Sequence, residues 1–375
     1  LVTLVTLVTL VTLAHLNLSK ILQRSPMKKD IPAAILTGAL CVSSTSLIAA
    51  DDKWTLNLHL ENDLFANTDL NYTNGVRASW VSPDVSDFLN AQQKTYHWVT
   101  HINELLEPLH PSLDANETDQ VHRNIVVSVG QLMFTPKDKQ KLTLDSNDRP
   151  YAGWLYGGIG YQARTENKLH SFELNLGVVG PAALAKQTQN LIHDARNIER
   201  FHGWDNQLKN ELGVQLVFER KRRFKPVKGK VFNVIDTDLI THWGGSVGNV
   251  ATYLNAGAEL RAGWPLNSDF GTSTLRPGGD SNNPGKGKPN DRGLQMHAFL
   301  ASDMRLVGRN IFLDGNTFTD SHSVDKKRAV ADITVGLSTT YKRWNISYSH
   351  VYRTKEFNGQ QRAQKYGSLS VSYSH

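Results

Sequence analysis

Beyond residue 53 the chain repeats one pattern, in which apolar or aromatic residues alternate with small or polar ones. Trp54, Leu56, Leu58 and Leu60 show it clearly, because every residue between them is polar. An alternation of period two is typical of a β-strand with one apolar face. We predict twelve strands, near residues 54–62, 73–81, 124–134, 151–163, 170–178, 210–221, 231–238, 250–262, 293–303, 328–341, 344–353 and 365–374.

These runs predict an all-β fold in which consecutive strands pair. Each run is about the length that crosses a bilayer when the strand is tilted. The short link Lys342-Arg343 between two alternating runs is typical of a hairpin turn. We therefore predict a transmembrane, antiparallel, up-and-down β-barrel of about 12 strands. A soluble β-sandwich or a lipocalin-like barrel is the alternative, because alternation does not say whether the apolar face meets lipid or a second sheet.

The first fifty residues are predicted to be a leader and a signal peptide, and not a part of the folded barrel. Residues 1–26 contain four copies of Leu-Val-Thr and are interpreted as a low-complexity, untranslated leader. Residues 27–50 hold a charged start, an apolar stretch and a small-residue end, which is the pattern of a secretory signal peptide. A single transmembrane anchor is the alternative, although the run Ser43-Ser44-Thr45-Ser46 makes it a poor one. The mature barrel domain is expected to span residues 51–375.

Composition narrows the class of protein further. The 375 residues have a mean hydropathy of −0.38, and residues 31–50 form the only long apolar run. A bundle of transmembrane helices is thereby excluded, whereas a β-barrel hides its apolar face in alternation. Eight Trp, 13 Phe and 11 Tyr exclude disorder. The net charge is +6, and it is smaller still without the first fifty residues. Basic and acidic residues are therefore too nearly balanced to indicate a nucleic-acid partner.

Topology sorts the connections between strands into two ends. If the first strand leaves the periplasm, the loops after the odd-numbered strands are extracellular. These loops are predicted near residues 63–72, 135–150, 179–209, 239–249, 304–327 and 354–364. Two long links, 82–123 and 263–292, are then periplasmic. Residues 184–200 lack Gly and Pro and predict a short helix in the third extracellular loop.

Polar residues suited to hydrolysis gather on the predicted extracellular rim. His193 lies on the loop helix, and a neutral histidine acts as a general base near pH 7. Asp63, Thr73 and Glu199 offer the hard oxygen ligands that Ca²⁺ prefers. Together they suit metal-assisted ester hydrolysis. Each signal is weak alone, because a lone histidine is more often packed or solvated, and Asn-Asp or Thr-Asn-Gly at strand ends is more often turn chemistry.

The ordered motifs of the mature chain resemble those of the lipid A deacylase family called LpxR. The resemblance covers essentially the whole mature chain and depends on Glu61-Asn62-Asp63, Asn71-Tyr72-Thr73-Asn74-Gly75, Asn147-Asp148-Arg149-Pro150-Tyr151-Ala152-Gly153-Trp154, Gly177-Val178-Val179-Gly180-Pro181, Gln189-Asn190-Leu191-Ile192-His193 and Gly203-Trp204-Asp205-Asn206-Gln207-Leu208. It implies a twelve-stranded outer-membrane barrel that removes the 3′-linked acyloxyacyl chain of lipid A and requires Ca²⁺.

The resemblance also implies roles for single residues. His193 becomes the general base that activates water, with Asn62 and Gln189 at matching polar positions of the catalytic site. Asp63 and Glu199 become carboxylates on the metal side, together with the hydroxyl of Thr73. Lys137 and Arg149 are expected to contact substrate, at a lipid A phosphate or the developing oxyanion. One departure from some relatives is Leu64, where they carry a second Asp.

The implied partners are lipid A or lipopolysaccharide and the outer-membrane bilayer, with the site facing the outer leaflet and the protein expected to be a monomer. An outer-membrane phospholipase is the alternative among hydrolases, because headgroup contacts decide the substrate. A pore or a scaffold barrel without catalysis is the alternative from another class. The same oxygen ligands also accept Mg²⁺ or Mn²⁺ at a different geometry.

Overall fold

The computed structural model describes residues 54–63, 71–86, 121–224, 235–266, 269–271 and 293–375. These residues contain twelve antiparallel strands that close into one barrel, as predicted. The strands are β1 Thr55–Asn62, β2 Asn71–Val81, β3 His122–Thr135, β4 Ala152–Arg164, β5 Lys168–Val179, β6 Glu211–Phe224, β7 Asp236–Gly248, β8 Ala251–Trp264, β9 Gln295–Asn310, β10 Ala329–Tyr341, β11 Trp344–Arg353 and β12 Gln364–Ser374.

Each strand pairs with its neighbours in sequence, and β1 closes the barrel against β12. Thr55 pairs with Ser374 at one end, so the first and last strands meet there. The opposite end, where β1 stops at Asn62 and β5 stops at Val179, is called here the helix-bearing end. Among the described residues, none of the helices combines the length and the apolar character needed to cross a membrane.

The predicted position of the seventh strand is wrong. We predicted it near 231–238, whereas β7 spans Asp236–Gly248, so that the predicted loop 239–249 is almost entirely strand. Its paired glycines resemble a turn signal in the sequence. In the barrel they let neighbouring backbones approach, since a Cβ on Gly244 would lie 2.2 Å from the carbonyl oxygen of Phe218. Similarly, β9 continues to Asn310, seven residues past its predicted end.

Several other predictions lie outside the described residues. They are the leader 1–26, the signal peptide 27–50, the departure at Leu64, and most of the links 82–123 and 263–292.

Strand alternation gives the barrel an apolar outside and a polar inside. Leu56 and Leu58 of β1 are 47% and 43% exposed on the outer face, whereas Asn57 and His59, which alternate with them, are buried in the lumen. Charged side chains in the lumen pair across strands, as the guanidinium of Arg77 does with Glu173 at 2.8 Å. An apolar outer band with a polar interior is typical of transmembrane barrels.

Aromatic and aliphatic side chains fill the lumen at the helix-bearing end. Phe312 stacks on Phe134 with 4.2 Å between ring centroids, and Tyr72 meets Tyr366 edge to face at 5.2 Å. The full buried cluster is Tyr72, Leu132, Phe134, Ala152, Trp154, Tyr156, Val179, Leu208, Val250, Ile311, Phe312, Val351 and Tyr366. The barrel therefore has a packed core beneath its loops.

The described residues place two α-helices at this end. The first, α1, spans Ala185–Arg196 within the predicted segment 184–200 and follows a 3₁₀ turn at Pro181–Ala183. The second, α2, is a single turn at Ile311–Asp314 that contributes Phe312 to the lumen cluster.

Candidate active site

The candidate site lies on the outer face of the barrel wall at the helix-bearing end. Val127 and Val129 of β3 point outward and are 49% and 54% exposed. Gln131 and Met133 follow on the same face, because side chains alternate along a strand. Met133 is nevertheless buried, since the segment that follows β5 lies over it. The site is thus built where the helix segment packs on the outside of the wall.

Small residues and one hydrogen bond hold α1 against this wall. The Nε2 atom of Gln131 donates to the carbonyl oxygen of Ala183 at 2.6 Å. Gly153 of β4 faces the helix, and a Cβ there would lie 2.4 Å from the Cβ of Ala185. A buried apolar cluster completes the contact, and it consists of Met133, Tyr151, Ala185, Phe201 and Trp204.

The chain reverses sharply where α1 ends. Asn197 adopts the left-handed conformation with φ 52°, which asparagine tolerates better than most residues. The amide of Ile198 then donates to the carbonyl oxygen of His193 at 2.8 Å. Across the same turn, Nε of Arg200 donates to the Asp194 carboxylate at 2.6 Å and lowers the pKa of that carboxyl. The reversal brings Glu199 back beside the helix.

His193 is oriented by this reversal. Its side chain is buried, and Nδ1 lies 2.6 Å from the carbonyl oxygen of Glu199. A carbonyl oxygen only accepts hydrogen bonds, so Nδ1 must carry the proton. The Nε2 atom of the neutral ring therefore keeps its lone pair, which is the state a general base needs. Phe201 packs edge to face on the imidazole at 5.8 Å.

Gln189 lies one turn before His193 on the same buried face of α1. The indole Nε1 of Trp204 donates to its Oε1 at 2.6 Å, which fixes Nε2 as the free end of the amide. Nε2 is buried and has no hydrogen-bond partner among the described residues. The arrangement offers a fixed N–H donor beside His193.

Sequence reasoning missed the role of Trp204. The residue occurs in the Gly203-Trp204-Asp205 motif, but nothing in its spacing indicates a bond to a helix 15 positions earlier. Tyr151 packs on the indole with 5.0 Å between ring centroids. Burial raises the pKa of Tyr151 to about 12, so this phenol stays protonated and does not compete with His193 as a base.

Asn62, Asp63 and Thr73 lie where β1 ends and β2 begins. Asn62 shares the outer face of β1 with Leu58 and pairs in register with Asn74. Thr73 occupies a β-bulge, and its hydroxyl is 2.7 Å from that of Thr135 on β3. Asp63 is fully buried. The three predicted residues therefore share the helix-bearing end with α1.

Glu199 contributes a backbone group where a metal ligand was predicted. Its carbonyl oxygen accepts from His193, whereas its exposed carboxylate accepts from the side-chain amide of Gln140. Within the described part of the chain, no group of three or more His, Cys, Asp or Glu is close enough to hold a metal ion. The buried oxygen donors of Asp63 and Thr73 fit a hard cation in their chemistry. The Glu199 carboxylate is exposed and bonded to Gln140, in contrast to the buried oxygens of Asp63 and Thr73.

The two predicted substrate contacts have different surroundings. Lys137 is exposed, and its ammonium donates to the side-chain carbonyl of Gln361. Arg149 is buried, forms an ion pair with Glu356 at 3.3 Å and lies over the ring of Phe134 at 4.7 Å. Burial lowers the pKa of the Arg149 guanidinium, and Glu356 opposes that shift. Arg149 thus joins two loops at this end of the barrel.

Comparison with known proteins decides the family. The model of the family described as "Outer membrane protein LpxR" matches residues 34–375. The chain belongs to the LpxR family. LpxR from Salmonella typhimurium has a similar solved structure, with a TM-score of 0.63, 18% sequence identity, and coverage of 85% of this chain and 99% of that chain. None of the curated proteins compared with the chain matches it by sequence.

The β domain of the Bordetella autotransporter BrkA also aligns with the chain, at a TM-score of 0.40 and 8% identity, covering 86% of this chain and 98% of that chain. As an LpxR-family barrel with an apolar outer face, the protein is located in the outer membrane. Fold similarity does not by itself assign chemistry, which depends on the site.

Proposed function

We propose that the protein is an outer-membrane esterase that hydrolyses the 3′-linked acyloxyacyl chain of lipid A. The observation that carries this proposal is the buried bond from His193 Nδ1 to the Glu199 carbonyl oxygen, which leaves Nε2 as a proton acceptor. Membership of the LpxR family supports lipid A as the substrate.

The position of the site also supports a lipid substrate. Outward-facing Val127 and Val129 lead directly along β3 to the covered patch beneath α1. An acyl chain that lies along the apolar wall delivers its ester to the polar residues at the rim. In our proposal this end faces the outer leaflet, where lipid A resides.

In the proposed reaction, His193 Nε2 removes a proton from water as the water oxygen attacks the ester carbonyl. The tetrahedral intermediate then expels the 3′ oxygen of the sugar, which takes the proton from the imidazolium. The products are the free acyloxyacyl acid and lipid A with a 3′ hydroxyl, and the neutral imidazole is restored. The Nε2–H₂ group of Gln189 serves as a donor to the oxyanion.

Calcium completes the proposal as a cofactor. Asp63 and Thr73 would hold the ion through their oxygen atoms, with Asn62 at the adjacent rim position. A bound divalent cation supplies Lewis-acid stabilisation of the charge that develops on the ester oxygen. Removal of the ion with a chelator is expected to abolish hydrolysis and to leave the barrel folded, because backbone hydrogen bonds between twelve strands close the barrel.

The test is mass spectrometry of lipid A after incubation with detergent-solubilised protein, with Ca²⁺ or with chelator. Wild type is compared with His193→Ala and with His202→Ala, which changes a nearby exposed histidine. A glycerophospholipid is offered in parallel as the alternative substrate. We expect lipid A to lose the acyloxyacyl group when Ca²⁺ is present and the protein is wild type or His202→Ala. We expect no loss with chelator or with His193→Ala.

The other outcomes contradict separate parts of the proposal. Folded wild-type protein that leaves lipid A unchanged refutes the deacylase, and turnover of phospholipid alone assigns a phospholipase. Undiminished hydrolysis by His193→Ala refutes the general base, and undiminished hydrolysis with chelator refutes the cofactor. The aromatic cluster that fills the lumen beneath the loops argues against an open pore.

A further inference from the structure

A cavity opens at the helix-bearing end, between the loop after β3 and the loop that joins β11 to β12. Its volume is about 660 Å³, within the range of sites that bind small molecules. Lys137, Lys139 and Asp148 line one side, and Gln361 and Arg362 line the other. The side chains of Lys137 and Gln361 bond across it.

The acidic residues of this cleft are engaged by their own loop. The carboxylate of Asp148 accepts from the backbone amides of Lys137 and Arg149 at 2.7 and 2.8 Å. Asp145 binds the ammonium of Lys141 at 2.9 Å, and that hydrogen bond lowers the pKa of the Asp145 carboxyl. Asp138 accepts from the amide of Gln140 at 3.0 Å. These bonds therefore stabilise the fold of the loop that carries the three carboxylates.

The basic residues of the cleft are engaged differently. Lys137 bonds to the neutral amide of Gln361, so its charge is not cancelled by that partner. Arg362 is exposed on the cleft wall, and no acidic residue pairs with its guanidinium among the described residues. Lys139 and Lys365 also line the space. Four basic side chains thus line the cleft against three carboxylates that bond to their own loop. Guanidinium and ammonium groups are the usual partners of phosphate.

The cleft adjoins the candidate active site on two sides. The ammonium of Lys139 lies 5.3 Å from the ring of Phe201, which packs on His193. At the cleft floor, Nε2 of Gln364 donates to the carbonyl oxygen of Tyr72, the residue before Thr73. The cleft therefore lies beside residues that contact His193 and precede Thr73.

We infer that this cleft binds the phosphorylated sugar headgroup of the lipid substrate, with Arg362 and Lys137 as its phosphate ligands. The inference rests on the proposed function and adds the anionic group that the enzyme recognises. In this inference the lipid phosphate binds Arg362 and Lys137 instead of Arg149, because the charge of Arg149 is paired with buried Glu356.

Binding is measured with His193→Ala protein in detergent, so that no turnover intervenes. The probes are bis-phosphorylated lipid A, the same lipid after removal of its phosphates, and excess inorganic phosphate as a competitor. We expect the phosphates to tighten binding, and Arg362→Gln and Lys137→Gln each to weaken it about tenfold, as loss of a charge-assisted bond predicts. Lys355→Gln, an exposed change in the same loop outside the cleft, should bind as the parent does.

Equal binding of both lipids, or no effect of Arg362→Gln and Lys137→Gln, overturns the inference. Inorganic phosphate that binds as tightly as bis-phosphorylated lipid A assigns the cleft to free phosphate and overturns the headgroup. Phosphate-dependent binding without any hydrolysis by wild-type protein supports the cleft while refuting the deacylase, so the two failures are distinguishable.

Discussion

The indole of Trp204 decides which end of the Gln189 amide can meet a substrate. An amide side chain presents either a carbonyl oxygen or an NH₂ group, and the two have opposite chemistry toward an oxyanion. The indole N–H can only donate, so it takes Oε1 and leaves the NH₂ group available. Trp204 is therefore a positioning residue for the proposed oxyanion donor.

Trp204→Phe is expected to lower kcat about tenfold with little change in KM. The ring still fills the cluster beneath α1, but the amide of Gln189 loses its orientation, and donors to an oxyanion act mainly in the transition state. Steady-state kinetics on lipid A measure both constants. Tyr151→Phe is the control, because it keeps the ring that packs on the indole and makes no bond to Gln189. Unchanged kcat in Trp204→Phe would remove Trp204 from the mechanism.

Ordered motifs name candidate residues for the site, but they do not predict the partners of those residues. Arg149 pairs with Glu356, 207 positions later in the sequence, and its contact with substrate stays a prediction. Glu199 was expected to offer its carboxylate, whereas its backbone carbonyl orients His193. Both outcomes depend on how loops meet across the barrel end, and a local pattern holds no information about such distant contacts.

At the scale of elements, a missing side chain determines where α1 lies. Gly153 stands on the outer face of β4, and the helix approaches because nothing projects from that position. Alternation predicted the barrel and the outer face correctly, since period two follows directly from strand geometry. It misplaced β7 because glycines that permit close strand contact look like turn residues in sequence.

Gly153→Val is expected to push α1 off the wall and to reduce hydrolysis more than tenfold, since small displacements of catalytic groups are costly. Its Cβ would lie 2.4 Å from the Cβ of Ala185. Gly157→Val is the matched control on the same strand and face, where the nearest atom to a Cβ is 3.9 Å away. Hydrolysis rates are compared after heat-modified gel mobility verifies folding. Adding Ala185→Gly should restore part of the activity, and wild-type activity in Gly153→Val would refute the packing argument.

At the scale of the whole molecule, buried ion pairs in the lumen join adjacent strands of the barrel. Asp332 of β10 accepts from Arg353 of β11 through both carboxylate oxygens at 2.8 Å, and from Arg305 of β9 at 2.9 Å. Arg353 also donates to the hydroxyl of Tyr366, which belongs to the aromatic cluster. One carboxylate thus ties three strands to the packed end of the lumen.

Asp332→Ala is expected to reduce the free energy of unfolding by about 3 kcal/mol, because removal of one partner leaves buried charges uncompensated. The two guanidinium groups would then lose their shortest carboxylate contacts and keep only longer ones, from Arg305 to Asp303 at 3.4 Å and from Arg353 to Glu356 at 3.8 Å. Urea titration of protein folded in lipid vesicles measures the change. Asp320→Ala, at an exposed loop position, should stay within about 0.5 kcal/mol of wild type. If the two variants unfold at the same urea concentration, the barrel owes its stability to strand pairing and the aromatic cluster, and the lumen charges serve only to keep the interior polar.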